Sequence, residues 1–212
     1  MGAGGERRPP FQRSPIPPKK TGMSLFPELD VPPSDRLFFG IFPEPAVAET
    51  IAGRARDLKG RLSLSGAPLT PDRFHVTLHH IGDYAGLPRG IVAQALEAGA
   101  AVATTSAPFD VTFDKAASFN NRGNNPFVLQ GGEGLVDLHG FQKALGLAMA
   151  HAGLGKQVAR QFNPHVTLLY DRGLAPETAV EPVSWPVSEF VLIHSLLGQT
   201  RHIVLGRWEL TG

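Results

Sequence analysis

The chain has 212 residues, 42% of them hydrophobic, with 20 basic and 19 acidic side chains and a net charge of +1. That is enough apolar material for one compact domain with a real core. The near-balance of charge excludes the global signature of a non-specific nucleic-acid binder but leaves a local basic cleft open. The absence of cysteine excludes disulfides, thiolate metal sites and cysteine nucleophiles, and fits a reducing compartment.

Residues 1–34 read as a disordered, Pro-rich basic tail. Pro9-Pro10, Pro15, Pro17-Pro18, Pro27 and Pro32-Pro33 alternate with Arg7, Arg8, Arg13, Lys19 and Lys20, which removes backbone donors and discourages a packed core. No apolar run approaches the roughly 18 to 20 residues that span a bilayer, and the N-terminus has no hydrophobic signal core, so a soluble, cytoplasmic protein with no membrane partner is expected. Residues 35–212 are expected to form one domain.

Arg36-Leu37-Phe38-Phe39-Gly40-Ile41-Phe42 has the pattern of a buried strand, closed by Pro43 and Pro45. Ala46 to Leu62 places Val47, Ile51, Ala55 and Leu58 at helical spacing, which predicts an amphipathic helix. A strand is expected over Arg73 to Ile81, with Phe74, Val76 and Leu78 on one face and His75, Thr77 and His79 on the other. A second helix is predicted from Pro88 to Ala103 and a strand from Phe109 to Phe119. The Asn120 to Asn125 turn then closes a hairpin with Phe127-Val128-Leu129. A third helix follows from Gly134 to Ala152, and a strand over Asn163 to Tyr170 turns Val166 and Leu168 inward and His165 and Thr167 outward. After a loop from Gly173 to Pro186, Val187 to Leu196 and Arg201 to Leu210 read as a closing antiparallel pair. Seven or eight strands and three helices in mixed order indicate an α+β fold of two similar lobes around a cleft.

The chemistry is concentrated in one repeated tetrapeptide. His75-Val76-Thr77-Leu78 recurs as His165-Val166-Thr167-Leu168, 90 residues later, whereas a single His-x-Thr-Leu is expected about 0.05 times by chance in such a chain. The offset suits a duplicated half-domain. Two imidazoles titrating near neutrality can serve as acid and base in one reaction, and two hydroxyls on the same strand faces can bond the oxygens of a phosphate. Other patterns are weaker. His75 and His79 have the i, i+4 spacing of a helical metal pair but lie in a strand pattern without the Glu of His-Glu-x-x-His. Gly131-Gly132-Glu133-Gly134 lacks the Lys-Ser/Thr ending of a phosphate loop.

Arg36-Leu37-Phe38-Phe39, Arg73 to Leu78, Phe162 to Leu168, and the surroundings of Ser195 and Trp208-Glu209-Leu210 together resemble the two-histidine (2H) phosphoesterase superfamily. Within it they are similar to the RNA 2′,3′-cyclic phosphodiesterases also called 2′-5′ RNA ligases. The resemblance covers Arg36 to Leu210. It implies a bilobal 2H phosphoesterase fold in which two pseudo-two-fold related lobes of antiparallel sheet, with outer helices, surround a central cleft. It also implies hydrolysis of a 2′,3′-cyclic phosphate to a terminal 2′-phosphate without metal or other cofactor, with reversible 2′-5′ ligation as a companion activity. His75 would be the proton donor and His165 the proton acceptor, in a monomer acting on RNA ends or nucleotides bearing the cyclic phosphate. A departure is Tyr170, where many relatives carry Arg; Tyr170 could donate a neutral hydrogen bond instead, and Arg160 or Arg201 could supply the charge from a neighbouring element. His202 stands near a position where relatives often show an aromatic residue. The alternatives are a module that binds RNA ends without catalysis, and a 2H phosphodiesterase for a small nucleotide cyclic phosphate.

Overall fold

The computed structural model describes Met1 and residues 31–212. The tail expected over residues 1–34 therefore lies, apart from its two ends, outside the described residues. In chain order the elements are β1 (Asp35–Ile41), α1 (Pro45–Arg61), β2 (Val76–Tyr84), α2 (Arg89–Ala103), β3 (Phe109–Ser118), β4 (Asn125–Gln130), α3 (Val136–Met149), β5 (Val166–Asp171), β6 (Thr178–Val187), β7 (Glu189–Leu196) and β8 (Arg201–Glu209). They form two four-stranded antiparallel sheets, ordered β2-β1-β7-β8 and β5-β4-β3-β6.

The two orders superpose term by term, and this is the bilobal fold the sequence predicts. In each lobe a strand leads through a helix to an antiparallel partner at the sheet edge, and that edge strand follows directly on a motif histidine. β1-α1-β2 is one copy and β4-α3-β5 the other. The local chemistry explains the elements. Leu37, Phe39 and Ile41 of β1 enter the main core, while Phe38 joins Val191 and Ile193 in a small cluster on the other face. Helix α1 starts with Pro45, which has no N–H to leave unbonded, and ends with Lys59 and Arg61 against the negative end of its dipole. Its buried stripe is Ala48, Ile51, Ala52, Ala55 and Leu58, and it packs on β5 and β6 of the opposite lobe. The core is therefore shared between the lobes.

Three local expectations need correction. The histidines lie in extended backbone just ahead of β2 and β5, because a one-turn 3-10 helix at Pro71–Arg73 delays the first of these strands. The segment read as a loop up to Pro186 contains β6, in spite of Pro182 and Pro186; it is a sheet edge, where a missing N–H is tolerated. Finally, His79 does not share a face with His75 and Thr77. Gly40 pairs with Thr77 but Phe39 with His79, so one extra residue bulges from β2 and reverses the alternation beyond it. The same bulge occurs in β5, where Val128 pairs with Thr167 and Phe127 with Leu169. Leu78 and His79, like Leu168 and Leu169, are consequently both buried, and His80 and Tyr170 emerge as the outward pair.

Candidate active site

Each motif histidine is held by the backbone two residues before it. His75 Nδ1–H donates to Arg73 O at 2.8 Å, and His165 Nδ1–H donates to Asn163 O at 2.8 Å. A carbonyl only accepts, so in both rings the proton sits on Nδ1 and the lone pair of the neutral form sits on Nε2. His75, His165, Thr77 and Thr167 all line one cleft of about 550 Å³. The duplicated strand thus presents two imidazole and two hydroxyl groups to one space, a set able to bind a phosphate and move two protons.

Their surroundings differ. The His75 ring is stacked on Phe38 at 5.1 Å and on Phe42 at 5.3 Å, with His202 edge-on at 5.5 Å. His165 has Phe119 edge-on at 5.1 Å. Burial pushes the His75 imidazole down to about 4, against the pull of the Arg73 carbonyl and with further lowering from His202, Arg73 and His165. His202 is lowered in the same way, by burial first and by Arg73 second.

The cationic groups of the cleft are not those the sequence singled out. Tyr170 and His202 do line it, but Arg160 and Arg201 do not; Arg36 and Arg73 do. Arg73 Nε is buried and has no hydrogen-bond partner among the described residues, a costly state for a charged donor unless an anion completes it. Arg36 is held by Asp83 through Nε and Nη2, both at 2.7 Å, and His80 Nε2 meets the same carboxylate at 2.8 Å. The Arg36 guanidinium holds the Asp83 carboxyl well below the usual carboxylate range. Tyr170 and His80 are equivalents in the two lobes, so the position where a charge was expected carries a neutral hydroxyl in one lobe and a carboxylate-bound imidazole in the other. The sequence held one clue to Arg73: it lies two residues before His75, as Asn163 does before His165.

The loops that lead into the two motifs are each pinned to the other lobe. Ahead of His75, Leu69 N–H donates to Leu168 O at 2.8 Å, and Asp171 receives the Ser65 and Gly66 N–H groups at 2.6 and 2.7 Å. A Cβ on Gly66 would sit 2.0 Å from Tyr170 O, so the close approach requires glycine. Ahead of His165, Ala159 N–H donates to Nδ1 of buried His79 at 3.2 Å, and His79 Nε2–H donates to Gln142 O at 2.9 Å. This histidine, turned inward by the bulge, carries the opposite tautomer to the motif pair and ties β2 to α3 and to the approach of the second motif. Among the described residues no three His, Asp or Glu side chains converge as a metal site, and no helix is long and apolar enough to cross a membrane.

Solved structures share this architecture. E. coli LigT in its apo form is 29% identical, with 85% of this chain and 100% of LigT covered at a TM-score of 0.62. E. coli LigT complexed with 3′-AMP is 26% identical, with the same coverage and a TM-score of 0.59. The protein TT0787 of Thermus thermophilus shares the fold at 23% identity, with 84% of this chain and 98% of that one covered and a TM-score of 0.66. Among curated proteins there is no match. The family model of the 2′-5′ RNA ligase superfamily matches residues 43–199, from the end of the first strand past both histidines. The chain belongs to the 2′-5′ RNA ligase superfamily.

Proposed function

We propose that the protein is an RNA 2′,3′-cyclic phosphodiesterase of the cytoplasm that opens the ring to a terminal 2′-phosphate by two-histidine acid/base catalysis. The observation that carries this reading is the matched pair of imidazoles, each fixed through Nδ1 to a backbone carbonyl and each lining the cleft that Thr77 and Thr167 also line. The cyclic phosphate sits between the two rings. His165 Nε2 takes a proton from water as its oxygen bonds to phosphorus. The bond from phosphorus to O3′ breaks, and His75 Nε2–H protonates O3′, leaving a 2′-phosphate and a free 3′-hydroxyl. Thr77 and Thr167 donate to the non-bridging oxygens, where charge builds.

His75 is neutral in the empty cleft, with a value near 4. The arriving phosphate anion favours the imidazolium, so the proton the leaving oxygen needs is taken up together with the substrate. Arg73, whose Nε lacks a partner among the described residues, supplies the cation that Tyr170 does not. With the 5′-hydroxyl of a second RNA in place of water as the attacking group, the same forward step forms a 2′-5′ linkage and frees O3′, and its reverse cleaves that linkage back to the cyclic phosphate.

The test is turnover of a 2′,3′-cyclic nucleotide and of an oligonucleotide ending in the cyclic phosphate, by wild type, His75→Ala and His165→Ala. Product that is a 2′-phosphate from the wild type alone supports the reading. Equal product from all three proteins would sink the two-histidine mechanism. No turnover with retained oligonucleotide binding would make the protein a binding module.

A further inference from the structure

The two irregular segments that lead into the motif histidines are secured to very different degrees. Ahead of His75, the N–H groups of Leu64, Leu69, Arg73 and Phe74 donate to backbone carbonyls, and those of Ser65 and Gly66 donate to Asp171. Ahead of His165, the stretch from Val158 to Asn163 lies in neither helix nor strand. Among the described residues its one hydrogen bond to another part of the protein is that from Ala159 N–H to His79. Phe162 packs edge-on against His139, but apolar contact is non-directional and does not orient a peptide plane. Asn163 ends this stretch, and its carbonyl is the acceptor that holds the His165 proton on Nδ1.

His79 is an unusual residue at its position. The equivalent residue of the second copy is Leu169, which is equally buried, so the place itself asks only for an apolar side chain. An imidazole that is 1% exposed is costly there unless its nitrogens are bonded. Helix α3 makes room for it with Gly146, where a Cβ would come within 3.3 Å of the ring. Its Nε2–H donates to Gln142 O at 2.9 Å, which leaves the lone pair on Nδ1, facing Ala159 N–H at 3.2 Å and Gln142 Nε2 at 3.4 Å. Burial lowers its affinity for a second proton and so keeps that lone pair available.

We propose that His79 is a positioning residue for His165: by receiving Ala159 N–H it fixes the Asn163 carbonyl, which in turn fixes the His165 tautomer. Strand β2 of one lobe thereby sets the imidazole of the other. When the carbonyl drifts, the His165 ring is free to move its proton to Nε2, the nitrogen that must carry the lone pair of a base. The kinetic consequence rests on the phosphodiesterase reading; the tautomer does not.

Two substitutions separate the bonds of His79. His79→Asn keeps an oxygen where Nδ1 stands, and so an acceptor for Ala159 N–H. His79→Gln keeps a nitrogen where Nε2 stands, and so a donor for Gln142 O, with no acceptor at the Nδ1 position. Long-range proton–nitrogen correlation spectra read the tautomers of His75 and His165 separately. We expect both rings to carry Nδ1–H in the wild type and in His79→Asn, and His165 alone to lose that form in His79→Gln. In His79→Gln, kcat for a 2′,3′-cyclic nucleotide should fall about tenfold, with KM within about twofold of the wild type. An unchanged His165 in His79→Gln, an equal change at His75, or like behaviour of the two variants would overturn the inference. If the wild type turns over no cyclic nucleotide, the phosphodiesterase reading fails and the spectra still decide this one. The wild type alone gives a further test: the Ala159 amide should exchange its hydrogen more slowly than those of Arg160 and Gln161, and equal exchange would overturn the inference even if neither variant folded.

Discussion

The two His-Val-Thr-Leu copies share their backbone, their bulge and their tautomer, yet one histidine lies against three rings and the other against one. Repetition of a strand fixes where a lone pair sits, because the Nδ1 anchor is a backbone group that travels with the motif. It does not fix proton affinity, which depends on side chains supplied by other elements. A duplicated motif can thus yield two imidazoles in different surroundings, of which the more enclosed, His75, holds a proton less readily in the empty cleft.

The comparison breaks most visibly if either ring is removed. On the proposed mechanism, His75→Ala and His165→Ala should each lower kcat/KM for a cyclic phosphate by about a thousandfold, and the double variant should lose little more, as expected of two rings that act as a unit. A variant with only a tenfold loss would show that its ring is dispensable. Thr77→Ala and Thr167→Ala should cost about 10- to 100-fold each in kcat; similar losses would extend the likeness of the copies from geometry to function, and a large gap between them would confine it to geometry. Arg73→Gln should raise KM by about tenfold, whereas Tyr170→Phe should change it little, which places the cation on the first motif alone. Steady-state kinetics at one pH checks all of these.

The smallest effect concerns stability. His75 is lowered from 6.5 to about 4 in the folded state, so between those values the unfolded chain holds a proton that the folded chain lacks. Stability from this group is complete above about pH 6.5 and is lost as pH falls towards 4. The loss is about 1 kcal/mol after allowance for the partial exposure of the ring. Urea midpoints at pH 7 and pH 5 should therefore differ less for His75→Asn than for the wild type. Equal differences would mean that His75 is not the group responsible; His79, lowered by burial in the same direction, would be the next to substitute.

Much of this was legible in the sequence because it depends on neighbours along the chain. The apolar period of α1, the alternation of Val76 with Thr77 and of Val166 with Thr167, and the repeat itself are local signals. The bulge after each Thr is not local, since it arises from pairing with β1 and β4, and so His79 was assigned to the wrong face. Strand β6 was hidden by Pro182 and Pro186, whose tolerance depends on a position at the sheet edge. Arg73 went unremarked because it sits in a turn that looked like the start of a strand. Arg36 was read as part of a strand pattern, and only the fold brings it beside His80 and Tyr170.

The pinning of the Ser65 to Leu69 loop along β5 has a consequence outside catalysis. An edge strand offers a row of free N–H and C=O groups to any passing chain, and β5 is apolar over Val166, Leu168 and Leu169. With Pro68 bridged to Leu169 and Gly66 laid against Tyr170, that row is covered by the protein's own loop. Gly66 thus allows the chain to cover its own sheet edge, and a larger residue there would have to push the loop away from Tyr170.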